Sequence, residues 1–202
     1  MNILYQQATS SVELCYEVKK SKFITRIHPI TNKEDALQYL HKAKQDYPDA
    51  RHHCWAYLLG APSQPQTQAF NDDGEPSGTA GKPILNVLNH GVVGDVMVIV
   101  IRYFGGIKLG AGGLVRAYSS STQEAMNILP TKAKIAVFTA QLEMNFSLEN
   151  KCRHFLKNHH GDVLQQDFSD VLQLKVELPT TEKQNLEGFC QRLSIKISNT
   201  DH

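Results

Sequence analysis

What the sequence lacks narrows it first. No apolar run approaches the roughly 20 residues that a bilayer-spanning helix needs, so no membrane association is expected. Residues 1–9 show no basic segment followed by an apolar core, and no secretory signal is expected. Only four cysteines occur, Cys15, Cys54, Cys152 and Cys190, scattered and without a C-x-x-C pair. That spacing argues against a disulfide framework and a zinc cluster, and it suits a reducing, cytoplasmic setting. An excess of one charge is missing too: the formal net charge is +1, with 12 Lys/Arg against 11 Asp/Glu before Pro130 and 9 against 9 after it. Neither half is a basic nucleic-acid module in bulk, so polyanion binding has to come from a local patch. No repeat or low-complexity segment interrupts the chain.

What is present is an ordinary globular composition, 41% hydrophobic and 20% charged over 202 residues. That length suits one large domain or two small ones. Residues 91–121 organise the rest. Residues 95–102 are an almost unbroken, β-branched apolar run, which predicts a strand buried on both faces. Leu114, Ala117, Ser121, Ala125 and Ile128 then recur at helical spacing. Between strand and helix, residues 105–113 hold five glycines in nine positions, far above the usual ~7%. Such a loop exposes backbone N–H groups, and the helix start beyond it adds partial positive charge.

Upstream, residues 13–20 and 21–30 pattern as two short strands, the second ended by Pro29. Thr31 or Asn32 caps a helix with Glu34 and Asp35 in its first turn, and Pro48 stops it. Residues 53–59 form a third strand carrying Trp55, the single tryptophan. Residues 61–68 are polar with two prolines and read as a loop leading to a short strand at 67–70. Residues 71–82 hold no apolar residue larger than Ala and Pro, which predicts a surface loop. Pro83 suits the first turn of a helix ending near Gly91. Pro130 and residues 131–134 pattern as a linker, dividing the chain into domains 1–130 and 131–202. Beyond the linker the pattern is strand 135–145, helix 147–159, strands 162–168 and 171–178, helix 181–193 and strand 195–198. That βαββαβ order is the ferredoxin-like plan, so the fold class is α/β (α+β) with two domains.

The glycine loop is neither a P-loop, lacking Gly-Lys-Ser/Thr, nor a dinucleotide fingerprint, since Val115 stands where the third glycine falls. It supports a phosphate or other anion site built from Arg102, Gly105, Gly106, Lys108, Gly110, Gly112, Gly113 and Arg116. The plainer alternative is a glycine-permitted sharp crossing from strand to helix. Asp72, Asp73 and Glu75 put three carboxylates in four residues and are candidates for a metal-binding or general-base element facing that loop. Their spacing fails the EF-hand template, Asp-Gly is also plain turn chemistry, and no resident metal or cofactor is expected. His52, His53 and Cys54 suggest a Cys–His nucleophile pair or metal ligands, but adjacent strand residues point to opposite faces, and a buried cysteine opening an apolar strand is the plainer reading. Lys19, Lys20, Lys22 and Arg26, with Tyr16 and Phe23 interleaved, suit either a nucleic-acid backbone or the protection of an edge strand.

The run from Asp72 to Pro83, with Arg102-Tyr103-Phe104-Gly105-Gly106, Lys108-Leu109-Gly110 and Gly112-Gly113-Leu114-Val115, strongly resembles the IMPACT family, whose bacterial branch is called YigZ. His52, His53, Cys54 and Tyr118 agree with the same pattern. The resemblance implies a first domain similar to the two-layer α/β second domain of a small-subunit ribosomal protein. It implies a second domain like the ferredoxin-like last domain of elongation factor G. Eukaryotic relatives are translation regulators that bind a ribosome-associated activator of a starvation-sensing kinase. RNA, the ribosome or a translation-machinery protein are therefore the implied partners. The alternative is an enzyme acting on a phosphorylated small molecule or nucleotide.

Overall fold

The computed structural model describes residues 3–199. In chain order the elements are β1 (Ile3–Ala8), β2 (Val12–Val18), β3 (Ser21–Pro29), α1 (Lys33–Asp46), β4 (His52–Ala61), β5 (Gln64–Asn71), α2 (Gly81–Asn89), β6 (Val93–Gly94), β7 (Val96–Tyr103) and α3 (Ala111–Asn127). They continue with β8 (Thr131–Ile135), β9 (Val137–Met144), α4 (Glu149–Asn158), β10 (Asp162–Phe168), β11 (Leu172–Pro179), α5 (Lys183–Leu193) and β12 (Lys196–Asn199). Two compact units result, one spanning Tyr5–Lys134 and the other taking in Ile135 onward with Ile3 and Leu4.

The first unit is built on a five-stranded antiparallel sheet in the order β2-β3-β7-β4-β5. The central strand β7 does not alternate, because both of its faces are covered. Val96, Val98 and Val100 enter the core shared with Ile84, Leu88, Leu114 and Tyr118 of α2 and α3. Met97, Ile99 and Ile101 enter a separate core with Ala36 and Ala43 of α1, so helices lie on both faces of the sheet. Helix α1 starts where Asn32 accepts from the Asp35 N–H at 2.8 Å, while Asp35 accepts in return from the Thr31 N–H and hydroxyl.

The second unit has the strand order β10-β11-β9-β12, antiparallel throughout, with α4 and α5 packed on one face. That is the ferredoxin-like arrangement the βαββαβ pattern predicts.

Three segments depart from the sequence reading. Residues 131–134 are not a linker: they belong to β8, which lies in a three-stranded sheet ordered β6-β1-β8. β1, which the sequence reading left without structure, is the middle strand of that sheet. Residues 64–66, read as loop, extend β5 through a register shift opposite Leu59 and Gly60. Gly60 has φ +89°, the conformation that lets β4 pass this irregularity.

Candidate functional site

The predicted surface loop 71–82 is knotted against the fold. Asp72 Oδ1 accepts from the N–H groups of Ala80 and Gly81 at 3.0 and 2.8 Å, and Oδ2 accepts from the Gly78 N–H at 2.8 Å. Its carboxylate thereby serves the start of α2, where anionic charge is favoured. Asp73 takes φ +42° and accepts from the His53 N–H at 2.7 Å. The loop's internal bonding draws Glu75, Thr79 and Ala80 out of water, which corrects the reading of it as a plain surface segment.

Glu75 Oε1 accepts from Arg102 Nη1 at 2.6 Å and from the Tyr118 hydroxyl at 2.9 Å. The Cys54 thiol lies 3.3 Å from that hydroxyl and 3.0 Å from the Asp72 carbonyl. Burial pushes the Cys54 thiol up to about 12, so at neutral pH it is not a thiolate nucleophile. Burial, then the neighbouring Cys54 and Glu75, also raise Tyr118 well above an ordinary phenol. His53 is buried and lowered by desolvation. Cys54 lies in the core toward α2 and α3, so the pair does not meet as a dyad.

Above this buried chain lies a cleft of about 620 Å³. Its walls are Asp49, Arg51 and His52 from the entry to β4, Glu75 and Pro76 from the acidic loop, and residues 102–104 from the end of β7. Residues 108–111 and Leu114 complete it from the glycine loop and the first turn of α3. The two loops singled out in the sequence therefore share one cleft. At its edge α3 begins without a cap: Gly110, at φ +73°, offers no side chain, and the first turn carries no acidic residue. The Leu114 N–H reaches the Gly110 carbonyl at 2.9 Å, leaving the N–H groups of Ala111, Gly112 and Gly113 without intrahelical acceptors.

The individual assignments sort accordingly. Arg102, Lys108 and Gly110 line the cleft; Gly106, Gly112, Gly113 and Arg116 do not, although Arg116 Nη1 comes near Gly112. Arg102 is not a free surface cation but 7% exposed and paired with Glu75. Gly105 is not a free donor, because its N–H is given to Ser21 Oγ at 3.1 Å. A Cβ at Gly105 would stand 2.0 Å from the Lys20 backbone carbon, so this glycine exists to let the β2–β3 turn approach. Asp72 and Asp73 line no part of the cleft: Asp72 accepts from backbone N–H groups, and Asp73 accepts from the His53 N–H and pairs with Lys44 at 3.4 Å. Among the described residues no cluster of three His, Cys, Asp or Glu is placed to hold a metal ion.

The basic run divides as well. Lys19 and Lys20 form the two-residue turn between β2 and β3 at φ +48° and +63°, exposed and beside the glycine loop. Lys22 is exposed on β3. Arg26 is committed elsewhere, bonded to Glu13 at 2.6 Å and Asp46 at 2.7 Å and lying over the Tyr47 ring. Sequence reasoning did not single out Arg51, and it placed Phe104 in the motif that carries the family resemblance without assigning it a part in the site. The signal for Phe104 was an aromatic residue directly preceding two glycines, where a strand has already ended.

A family model described as the Impact N-terminal domain matches residues 19–126, which include every residue lining the cleft. The chain belongs to the IMPACT family. It is 36% identical over 194 residues to an IMPACT family member of Haemophilus influenzae, covering 96% of this chain and 93% of that protein. With the IMPACT family member YigZ of Escherichia coli the identity is 37% over 171 residues, 85% of this chain and 84% of the relative. A crystal structure of a protein described only as hypothetical matches this IMPACT-family chain over 100% of both, with a TM-score of 0.73 and 32% identity.

Proposed function

We propose that this chain is an RNA- or ribosome-binding regulator of translation that holds phosphate in the cleft between the acidic and glycine loops. The carrying observation is the uncapped start of α3 opening onto a cleft that also presents Arg51, Arg102 and Lys108. Free N–H groups, a helix dipole and cations at one place form a general phosphate holder. Lys19 and Lys20 extend the basic surface toward the β2–β3 turn, held in left-handed backbone that lysine seldom adopts. Support also comes from the resemblance of the two domains to parts of translation machinery.

Counterion release makes such binding fall steeply with salt. Binding of the intact protein to ribosomes and to structured RNA across a salt series tests this, with the double variant Arg51→Ala, Lys108→Ala alongside, since both side chains line the cleft. Losing two phosphate contacts should flatten the slope of log affinity on log salt by roughly 1.4 to 1.8. No binding at low salt, or a double variant that binds as the parent does, removes the reading.

The enzyme reading has one observation in its favour: Glu75 shares the cleft with Lys108 and Gly110, and the volume of about 620 Å³ suits a small ligand. Against it, Glu75 is already engaged by Arg102 and Tyr118. A thermal-shift panel of nucleotides with and without divalent metal separates the two, since a ligand at 100 times its Kd adds about 2.7 kcal/mol.

A further inference from the structure

Phosphate binding leaves one part of the cleft wall unused. Phe104 lines the cleft and is 57% exposed, and the neighbouring Ile107 is 45% exposed. The Arg102 guanidinium carbon sits 5.5 Å from the Phe23 ring centre and 5.7 Å from that of Phe104, close enough for both rings to attract the cation. Arg102 is itself more than nine-tenths buried and lines the cleft, and its Nε has no partner among the described residues. The cleft therefore offers the exposed cations Arg51 and Lys108, the open start of α3 at Ala111 and an aromatic face left in water, while the charge of Arg102 is already met by Glu75.

Those features match the two halves of a nucleotide. A phosphate accepts from N–H groups and guanidinium, while a base buries its π-face on an aromatic side chain. In a duplex the bases are paired and stacked on one another, so none is free to cover Phe104. A single strand or a lone nucleotide has both groups available. Resting on the phosphate reading above, we infer that the cleft takes one unpaired nucleotide, its base on the Phe104 ring and its phosphate at the start of α3.

Fluorescence anisotropy of the intact protein tests this with a short labelled single-stranded RNA, the same RNA annealed to its complement, and AMP as competitor. The single strand should bind about tenfold more tightly than the duplex. Phe104→Ala should weaken single-strand binding by about tenfold, as alanine substitution of stacking aromatics does, without changing the salt slope. Phe104→Trp should restore it, which separates stacking from general damage. Displacement of the RNA by AMP would show that a free nucleotide suffices; an inert AMP with normal RNA binding would assign the site to a strand. A Phe104→Ala variant that binds normally, or a duplex bound as tightly as the single strand, overturns the inference while a steep salt slope keeps the phosphate reading. Parent protein that binds no RNA at low salt removes both.

Discussion

Asp95 gathers four donors from three strands. Its Oδ2 accepts from the Tyr5 hydroxyl at 2.6 Å, Gln7 Nε2 at 3.1 Å and Lys134 Nζ at 2.7 Å, and its Oδ1 accepts from the Gly60 N–H at 2.8 Å. The residue is buried and sits at φ +52°. Burial by itself would raise this carboxyl, but the bonds from Lys134, Tyr5 and Gly60 outweigh it and hold the carboxyl below its ordinary value. The consequence for pH has a definite sign. As pH falls, the unfolded chain takes up the proton first, at about 3.9. Asp95 therefore contributes stability that is complete above that pH and lost as pH drops through the lower folded value. Asp95→Asn, which tolerates the left-handed backbone, should cost about 1–3 kcal/mol at neutral pH by weakening bonds to buried donors. The gap between parent and variant should narrow below about pH 4. Urea midpoints of both proteins along a pH series measure it. A gap that stays constant into acid would show that the charge on Asp95 plays no part.

At the scale of elements, the glycine loop is two devices in sequence. Gly105 lets the β2–β3 turn come into backbone contact, with a Cβ there 2.0 and 2.1 Å from Lys20 backbone atoms and 2.4 Å from the Ser21 nitrogen. Gly112 stands in the first turn of α3, where a Cβ would meet only Arg116 Nη1 at 3.6 Å. The two should therefore respond to alanine with opposite signs. Gly105→Ala should destabilise by about 1–3 kcal/mol through overpacking against immovable backbone. Gly112→Ala should be neutral or stabilise by up to about 1 kcal/mol through helix propensity. Thermal and urea unfolding of the pair decides, and equal losses at both sites would refute the division. This division was not legible in the sequence, because the partner of Gly105 lies 84 residues away at Ser21. β7 and the ferredoxin-like unit were legible, since burial on two faces and on one face leave distinct periodicities. β1 and β8 left no such mark: Thr131–Ile135 has a mostly exposed pattern, and pairing and Asp95 hold these strands rather than an apolar face. The burial of Glu75 was hidden for a related reason. Its loop is polar in composition, and only the folded register of β7 sets Arg102 against it.

Across the whole chain, the buried residues fall into separate cores. Two lie on either side of the five-stranded sheet in Tyr5–Lys134, and a third, from Phe138 to Ile195, belongs to the other unit. Among the described residues, each core is drawn from one unit alone, so each unit has the apolar core of a cooperative folding unit of its own. The cleft proposed to hold phosphate is lined wholly by residues of the first unit. The sequence supplies a reporter for that unit alone, because its single tryptophan is Trp55 on β4, packed against the core that faces α1. Far-UV circular dichroism, by contrast, follows helices of both units. Chemical denaturation read by Trp55 fluorescence and by circular dichroism should therefore give curves that do not superimpose. A phosphate-bearing ligand should move the fluorescence transition and leave the remaining dichroic transition where it was, since binding stabilises only the unit that holds it. Coincident curves that shift together on adding ligand would mean that the two units unfold as one, and the boundary near Lys134 would then carry no thermodynamic meaning.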